Sequence, residues 1–264
     1  MRYLVTGASG FLGRELISRL DGDIVAVSRN EGALVKLKTT FPQVEIIPGD
    51  ISSPIICSRL VGHFDAIFHL AAFKHVTLAE KNVYQCVQSN VIGTLNVLAV
   101  PSEYFVFIST DKAAQVNGVY GATKFLGEKL VMEYSKSNYR IIRYGNVFGS
   151  TGSFIHIWRD RIDKGLDVII TDPEATRFFF PVAKAVDLIL SSLSKDSQTL
   201  IIPKIKSVSM GTALSACKKL WGECKVKMIG LQQGENKHET MDGITFSNQV
   251  EQYTEDEFIK EFLL

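Results

Sequence analysis

Short β-rich runs recur through the first half of the chain: Tyr3–Val5, Ile24–Val27, Val44–Ile47, Ala66–Leu70, Tyr104–Ile108 and Tyr139–Arg143. Between the first two, Leu12, Leu16, Ile17 and Leu20 return at helical spacing, and Asn90–Leu98 and Tyr120–Tyr134 read as further helices. Strands that alternate with helices predict an α/β fold, a parallel sheet covered on both faces. The rhythm changes after about Gly145, where Gly, Ser, Thr and Pro become frequent and the alternation loosens. Residues 1–145 are therefore expected to form one domain and residues 146–264 mainly a smaller lobe. Ala183–Leu193 is expected to return to the first domain as a helix, with Leu200–Ile202 as a late strand, so that 183–202 belong to it. The acidic-then-apolar tail, Tyr253–Leu264, predicts a closing helix.

Charge and composition narrow the classes of function. The 29 basic and 28 acidic residues nearly cancel, which speaks against a nucleic-acid binder, because affinity for a phosphate backbone needs a basic face. Cys57, Cys86, Cys217 and Cys224 form no CxxC pair and no zinc-like cluster with histidine. They are expected as buried apolar residues in a reducing cytoplasm, with no metal. Met1 and Arg2 run directly into the first strand, without the pattern of a signal peptide. No apolar run approaches the ~20 residues that span a bilayer.

Candidate chemistry starts where the first strand ends, at Thr6-Gly7-Ala8-Ser9-Gly10-Phe11-Leu12-Gly13. Glycine lets the backbone turn tightly and approach a pyrophosphate, and the helix that follows offers free N–H groups and the positive end of its dipole. The spacing is GxxGxxG, and its place between a strand and an amphipathic helix predicts a dinucleotide site. The second strand ends in Val27-Ser28-Arg29-Asn30. An acid there would serve the ribose 2′-hydroxyl of NAD; a serine and an arginine suit the 2′-phosphate of NADP. NADP is the cofactor this predicts. Asp50, followed by Ile51, stands after the third strand, where an acid can meet the adenine amino group.

Tyr120 and Lys124 stand four residues apart at the start of a helix and so share one face. A neighbouring ammonium and the nicotinamide cation would lower the phenol's pKa and let it act as a base. Glycine loop and YxxxK together resemble the extended short-chain dehydrogenase/reductase family. That resemblance implies a Rossmann-type doubly wound parallel sheet with a small C-terminal substrate-binding lobe. A narrower one covers nearly the whole chain. Ala71-Ala72-Phe73-Lys74-His75-Val76, Asn90-Val91-Ile92-Gly93-Thr94, Ser109-Thr110-Asp111-Lys112-Ala113, Tyr120-Gly121-Ala122-Thr123-Lys124 and Arg143-Tyr144-Gly145-Asn146-Val147 are similar to the inverting UDP-N-acetylglucosamine 4,6-dehydratases. Thr171-Asp172 and Thr176-Arg177-Phe178 fit the same branch.

The resemblance implies roles. Tyr120 would take the proton of the sugar 4-hydroxyl as hydride leaves C4, with Thr110 near O4 and Lys124 holding the nicotinamide ribose. Lys112 would be the base at C5 and Asp111 would transfer the proton at the departing 6-hydroxyl, which requires a lysine whose pKa is depressed by burial and the adjacent positive cofactor. Dehydratases of dTDP-glucose are similar but use an Asp-Glu pair, and simple epimerases lack an elimination pair. Leu70, Ala71, Ala72, Lys74 and Val147 would line the cofactor site. His75, Asn90, Asn146, Thr171 and Glu235 would meet the substrate, and Arg177 its diphosphate. Arg159 and Arg161 are weaker candidates.

The match departs near the C-terminus. Members of that branch carry an arginine and then a Gly-Glu-Lys-x-His-Glu run, whereas this chain has Gln232-Gln233-Gly234-Glu235-Asn236-Lys237-His238-Glu239. Lys237 could compensate for the missing lysine. The partners implied are a UDP-sugar and further copies of the chain, with neither nucleic acid nor membrane. A UDP-sugar epimerase, a dual dehydratase/epimerase, an NADP-dependent reductase with net hydride transfer and a non-enzymatic NADP-binding regulator stay open.

Overall fold

A computed structural model describes residues 1–150, 152–194 and 199–263. Its first part runs β1 (Arg2–Thr6), α1 (Phe11–Arg19), β2 (Asp23–Ser28), α2 (Glu31–Thr40), β3 (Glu45–Pro48), α3 (Pro54–Ser58), β4 (Phe64–His69), α4 (Val76–Lys81) and α5 (Val83–Val87). A π-helical turn, Gln88–Ile92, leads into α6 (Gly93–Leu98), then β5 (Ser102–Ile108), a 3-10 turn at Asp111–Ala113, α7 (Val119–Tyr134) and β6 (Asn138–Ile142). The expected helix 90–98 thus begins inside a longer helical stretch with a π turn. The remainder runs β7 (Asn146–Val147), α8 (Phe154–Asp163), β8 (Val168–Ile170), β9 (Thr176–Phe180), α9 (Val182–Ser192), β10 (Leu200–Ile201), β11 (Ser207–Ser209), α10 (Met210–Trp221), β12 (Val226–Met228) and α11 (Glu255–Leu263).

Seven strands form one parallel sheet in the order β10-β6-β5-β4-β1-β2-β3. Side chains alternate across it. Tyr3, Val5, Ile24 and Ala26 face the apolar layer that holds Leu16, Leu34 and Ile189. Leu4, Val25 and Val27 face the layer that holds Val97, Phe105 and Val131. Two buried faces explain why the strands read as near-continuous apolar runs. Strand order reverses between β1 and β4, and such a reversal opens a crevice at the C-terminal strand ends. α9 packs on α1, and β10 extends the sheet beside β6.

A third apolar cluster, including Phe148, Trp158, Phe179, Val208 and Phe258, lies among the later elements. There β9 sits between β11 and β7, and β12 pairs with β8. Among the described residues no helix is long and apolar enough to cross a membrane.

Candidate active site

The crevice between β1 and β4 opens into a cleft of about 430 Å³. Its floor is the glycine loop. Gly7 has φ +69°, and a Cβ there would lie 2.7 Å from the backbone nitrogen of Ala71, so only glycine allows the two loops to meet. α1 starts at Gly10 without a side-chain cap and without an acid in its first turn. Its leading N–H groups and positive dipole end are left for an anion. All the residues expected at the cofactor line the cleft except Asn30. That side chain instead caps α2, accepting a hydrogen bond of 2.9 Å from the Ala33 N–H, as asparagine ahead of a helix commonly does.

At the end of β2 the Ser28 and Ser9 hydroxyls are 2.7 Å apart. Arg29 Nη1 lies 3.6 Å from Asp50 Oδ2 and donates a long hydrogen bond, 3.3 Å, to Ser89 Oγ. Both partners of that ion pair are well exposed, so it holds Arg29 weakly and leaves the guanidinium ready for a stronger anion.

Beneath the loop, His69 bridges Thr6 Oγ1 at 2.7 Å and Thr94 Oγ1 at 3.0 Å. Burial, helped by Lys124, pushes this imidazole down to about 3, so it is a neutral strut. Asn90 is a strut as well. It accepts from Phe73 N at 2.7 Å and donates to Phe73 O at 3.0 Å and Thr123 Oγ1 at 2.9 Å. Expected at the substrate, it is fully enclosed and clamps the loop after β4 to α7. Lys74 from that loop lines the cleft, while His75 is exposed and its ring faces Gly152.

β5 delivers Thr110, Asp111 and Lys112 to the cleft wall. Thr110 Oγ1 donates to Asp111 Oδ1 at 2.8 Å, and the Lys112 N–H donates to the same carboxylate at 2.9 Å. α7 lies hard against this turn: a Cβ on Gly121 would come within 2.4 Å of the Lys112 carbonyl oxygen. That approach brings Tyr120 into hydrogen-bond contact with Thr110. Burial pushes the Tyr120 phenol up to about 12, against the pull of Lys112 and Thr110. One turn on, Lys124 is buried with its ammonium 3.8 Å from the Phe107 ring centre. Burial brings it down to about 7, although Glu128 pulls upward. Glu128 itself is held by Arg143 at 2.7 and 2.5 Å and by Ser109 at 2.5 Å.

A depressed Lys112 is expected from burial together with the adjacent positive cofactor; the protein alone supplies only the burial. Burial alone would depress its pKa, but Asp111 and Glu239 outweigh burial and hold it above the ordinary lysine range. Nζ stands 3.1 Å from Asp111 Oδ1 and 3.3 Å from Glu239 Oε1. In the resting protein Lys112 is an ammonium.

The expected substrate residues divide. Asn146 lines the cleft and donates to Phe178 O at 3.1 Å. His75, Thr171, Arg177 and Glu235 do not line it. Arg177 donates from Nη1 to the carbonyls of Thr176 at 2.8 Å and Lys237 at 3.1 Å, with Nε 3.8 Å from Glu239 Oε1. Glu235 accepts from the Gln232 N–H at 3.0 Å, while its carbonyl accepts from Asn117 Nδ2 at 2.9 Å. Lys237 pairs with Asp172 at 3.4 Å and Glu174 at 2.5 Å, so its charge is engaged at the surface. Arg159 lies 3.8 Å from Asp163 on an exposed helix face, and Arg161 binds the Asp167 carbonyl.

Tyr144 and Glu239 carry no catalytic assignment from the sequence. Tyr144 lines the cleft with a buried hydroxyl that has no hydrogen bond, though the run 143–147 pointed to its neighbourhood. Glu239 is buried beside Lys112, and no local spacing links residues so far apart. Among the described residues no group of His, Cys, Asp and Glu is placed to hold a metal ion.

Residues 3–260 match the family described as "Polysaccharide biosynthesis protein". An "Uncharacterized membrane protein" of Methanocaldococcus jannaschii is 33% identical, over 90% of this chain and 79% of its own length. The UDP-N-acetylglucosamine 4,6-dehydratase (inverting) of Campylobacter jejuni is 31% identical over 90% and 76%. A UDP-glucose 4-epimerase of Rickettsia canadensis is 27% identical over the same shares, 90% and 76%. Among solved structures, Pen from Bacillus thuringiensis superposes with a TM-score of 0.83 at 27% identity, covering 90% of this chain and 80% of that one.

Proposed function

The chain belongs to the polysaccharide biosynthesis protein family, among the nucleotide-sugar dehydratases and epimerases of the extended short-chain dehydrogenase/reductase type, and from that premise we propose that it dehydrates a UDP-sugar. The substrate is UDP-N-acetylglucosamine, converted to its 4-keto-6-deoxy product with inversion at C5. One observation carries the reading: Tyr120, Lys124 and the Asp111–Lys112 pair meet on one wall of a cleft whose floor is a glycine cradle.

A nicotinamide dinucleotide fits the donor set. The cradle at Gly7, the uncapped start of α1, and Ser28 with Arg29 at the end of β2 suit a pyrophosphate and a phosphorylated ribose. When bound, it supplies reversible hydride exchange with the sugar. Tyr120 Oη accepts the proton of the 4-hydroxyl, Thr110 hydrogen-bonds O4, and Lys124 holds the nicotinamide ribose. With C4 oxidised, the C5 hydrogen is acidic. Elimination then takes one proton from C5 and gives one to the departing 6-hydroxyl, so the protein needs an acid and a base together. The Lys112 ammonium and the Asp111 carboxylate, 3.1 Å apart on the cleft wall, can supply both. Lys112, taken as the C5 base, first passes its proton to Asp111, 3.1 Å away, which hands it on to the departing 6-hydroxyl. Asn146, which lines the cleft, serves the sugar.

The test is to incubate the protein with UDP-N-acetylglucosamine in deuterated water and follow the sugar by NMR and mass spectrometry. Loss of one water, a C6 methyl, solvent deuterium at C5 and an L-configured 4-keto product are the expected outcome. A C4 epimer with all oxygens retained would favour the epimerase reading, which Tyr120 and Lys124 suffice to support.

The cofactor reading has its own check. Arg29→Ala lowers the preference for NADP over NAD by about 10- to 100-fold, the range of one charge-assisted hydrogen-bonded pair. Dissociation constants for both dinucleotides, measured by calorimetry, read the change; an unaltered ratio would remove Arg29 from the 2′-phosphate.

A further inference from the structure

Glu239 is a carboxylate without a settled purpose in the fold. It is 1% exposed, and its Oε1 has no hydrogen bond. A carboxylate kept only to neutralise Arg177 would accept directly from that guanidinium. Instead Arg177 Nε stays 3.8 Å away, and its Nη1 is spent on two backbone carbonyls. The nearest cation to Oε1 is Lys112 Nζ, at 3.3 Å. Oε2 receives a long hydrogen bond of 3.3 Å from Asn236 Nδ2.

The segment that carries Glu239 is pinned so that this carboxylate is presented inward. Glu239 N donates to Ser247 Oγ at 2.9 Å, and Ser247 N donates to Glu239 O at 2.8 Å. Ser247 Oγ is 2.6 Å from Thr176 Oγ1 on β9, which also meets His238 Nδ1 at 2.9 Å. On the other side, Asn117 and Gln115 tie the segment to the loop that leads into α7. Fixing a buried charge in this way is costly unless it is paired, and the partner lines the cleft.

We propose that Glu239 is a positioning residue for the elimination step: it sets, from behind, the charge with which Lys112 faces the substrate. The role in elimination rests on the dehydratase reading above; the control of Lys112 does not. Among the described residues, four charged or titratable groups face Lys112. Asp111 comes from its own turn, Glu239 from the C-terminal segment, Arg177 from β9 and Tyr120 from α7. Of the two carboxylates, Asp111 is adjacent in sequence and lines the cleft, whereas Glu239 does not line it. Glu239 can therefore change the lysine without touching substrate.

Replacing Glu239 by glutamine removes one of two opposing charges, which lowers the pKa of Lys112 by about one unit or more. The experiment follows ε-methylene-labelled lysine by NMR across a pH titration of the full chain. The Lys112 resonance is identified by its loss in Lys112→Met. The expected result is an acid shift of the Lys112 midpoint in Glu239→Gln, with the Lys124 midpoint unmoved. Glu239→Asp, which keeps the charge but draws it back by a methylene, gives a smaller shift and serves as the reading if the amide does not fold. In turnover with UDP-N-acetylglucosamine, formation of reduced nicotinamide keeps its rate. The limb of the elimination profile that Lys112 governs moves to lower pH, whether the lysine acts as base or as acid. A Lys112 midpoint that is the same in wild type and variants overturns the inference. A shifted midpoint in a protein that turns over no nucleotide sugar supports the control of Lys112 and overturns the dehydratase reading alone.

Discussion

Tyr120→Phe folds and binds the dinucleotide, yet turns over a UDP-sugar about 10²- to 10⁴-fold more slowly, the usual loss when a positioned acid–base group is removed. The ring stays in place and only the contact with Thr110 is lost, which costs about 1 kcal/mol of stability. The phenol is where the chemistry is demanding. Burial pushes it up to about 12, while Lys112 and Thr110 pull it down and lose. Within the protein alone Tyr120 is protonated at neutral pH. It becomes a base only with further positive charge beside it, which the oxidised nicotinamide brings. The rate of C4 oxidation in the wild type accordingly climbs with pH, because the form that accepts a proton is the deprotonated one. That rising limb is missing in the phenylalanine variant. Stopped-flow absorbance of the reduced nicotinamide reads it; a variant that forms reduced cofactor at the wild-type rate would remove Tyr120 from the proton transfer.

Much of this site was legible because it is built from local spacings. The glycine loop, the YxxxK pair and the Asp111–Lys112 dipeptide each lie within a few residues on a strand end or helix start. The strands themselves announced the sheet, since Leu4 and Val5 are buried on opposite faces and leave no polar alternation to confuse the reading. Asn30 could have been placed from the same rules. An asparagine immediately ahead of a helix caps it more readily than it reaches into a cleft.

The remainder depended on contacts that no spacing encodes. Asn90 sits in a π-helical turn and spends both ends of its amide on Phe73; as a polar residue in a motif it looked available to a ligand. Arg177 looked like a cation for a diphosphate, and on the sequence nothing stood near it. In the fold, Glu239 and two carbonyls surround it. Lys112 shows the largest change. Desolvation was the visible argument and points down; the second carboxylate, brought in by the C-terminal segment, reverses the sign.

That reversal gives Lys112→Met two separable effects. In the fold, Asp111 and Glu239 lose the ammonium between them and Arg177 alone remains nearby. Breaking a fully buried pair costs about 3–5 kcal/mol; here the cost is smaller, because the Lys112 side chain keeps 17% of its surface exposed. Chemical denaturation measures it, and adding Glu239→Gln to Lys112→Met recovers part of the loss, since one of the stranded charges is removed with the lysine. In the reaction, Tyr120 and Lys124 are intact, so the sugar is still oxidised at C4, at a higher pH than in the wild type because the pull of Lys112 on the phenol is gone. Elimination then slows by about 10²- to 10⁴-fold for want of the proton-transfer group, and hydride can return only to C4. Reduced nicotinamide should rise to the level set by the C4 equilibrium and persist, with no C6 methyl in the recovered sugar. Tyr120→Phe stops before reduced cofactor forms; Lys112→Met stops after it. The opposite behaviour in Lys112→Met, no reduced cofactor and no oxidised sugar, would place Lys112 in the hydride step and leave Asp111 as the group to test for the elimination.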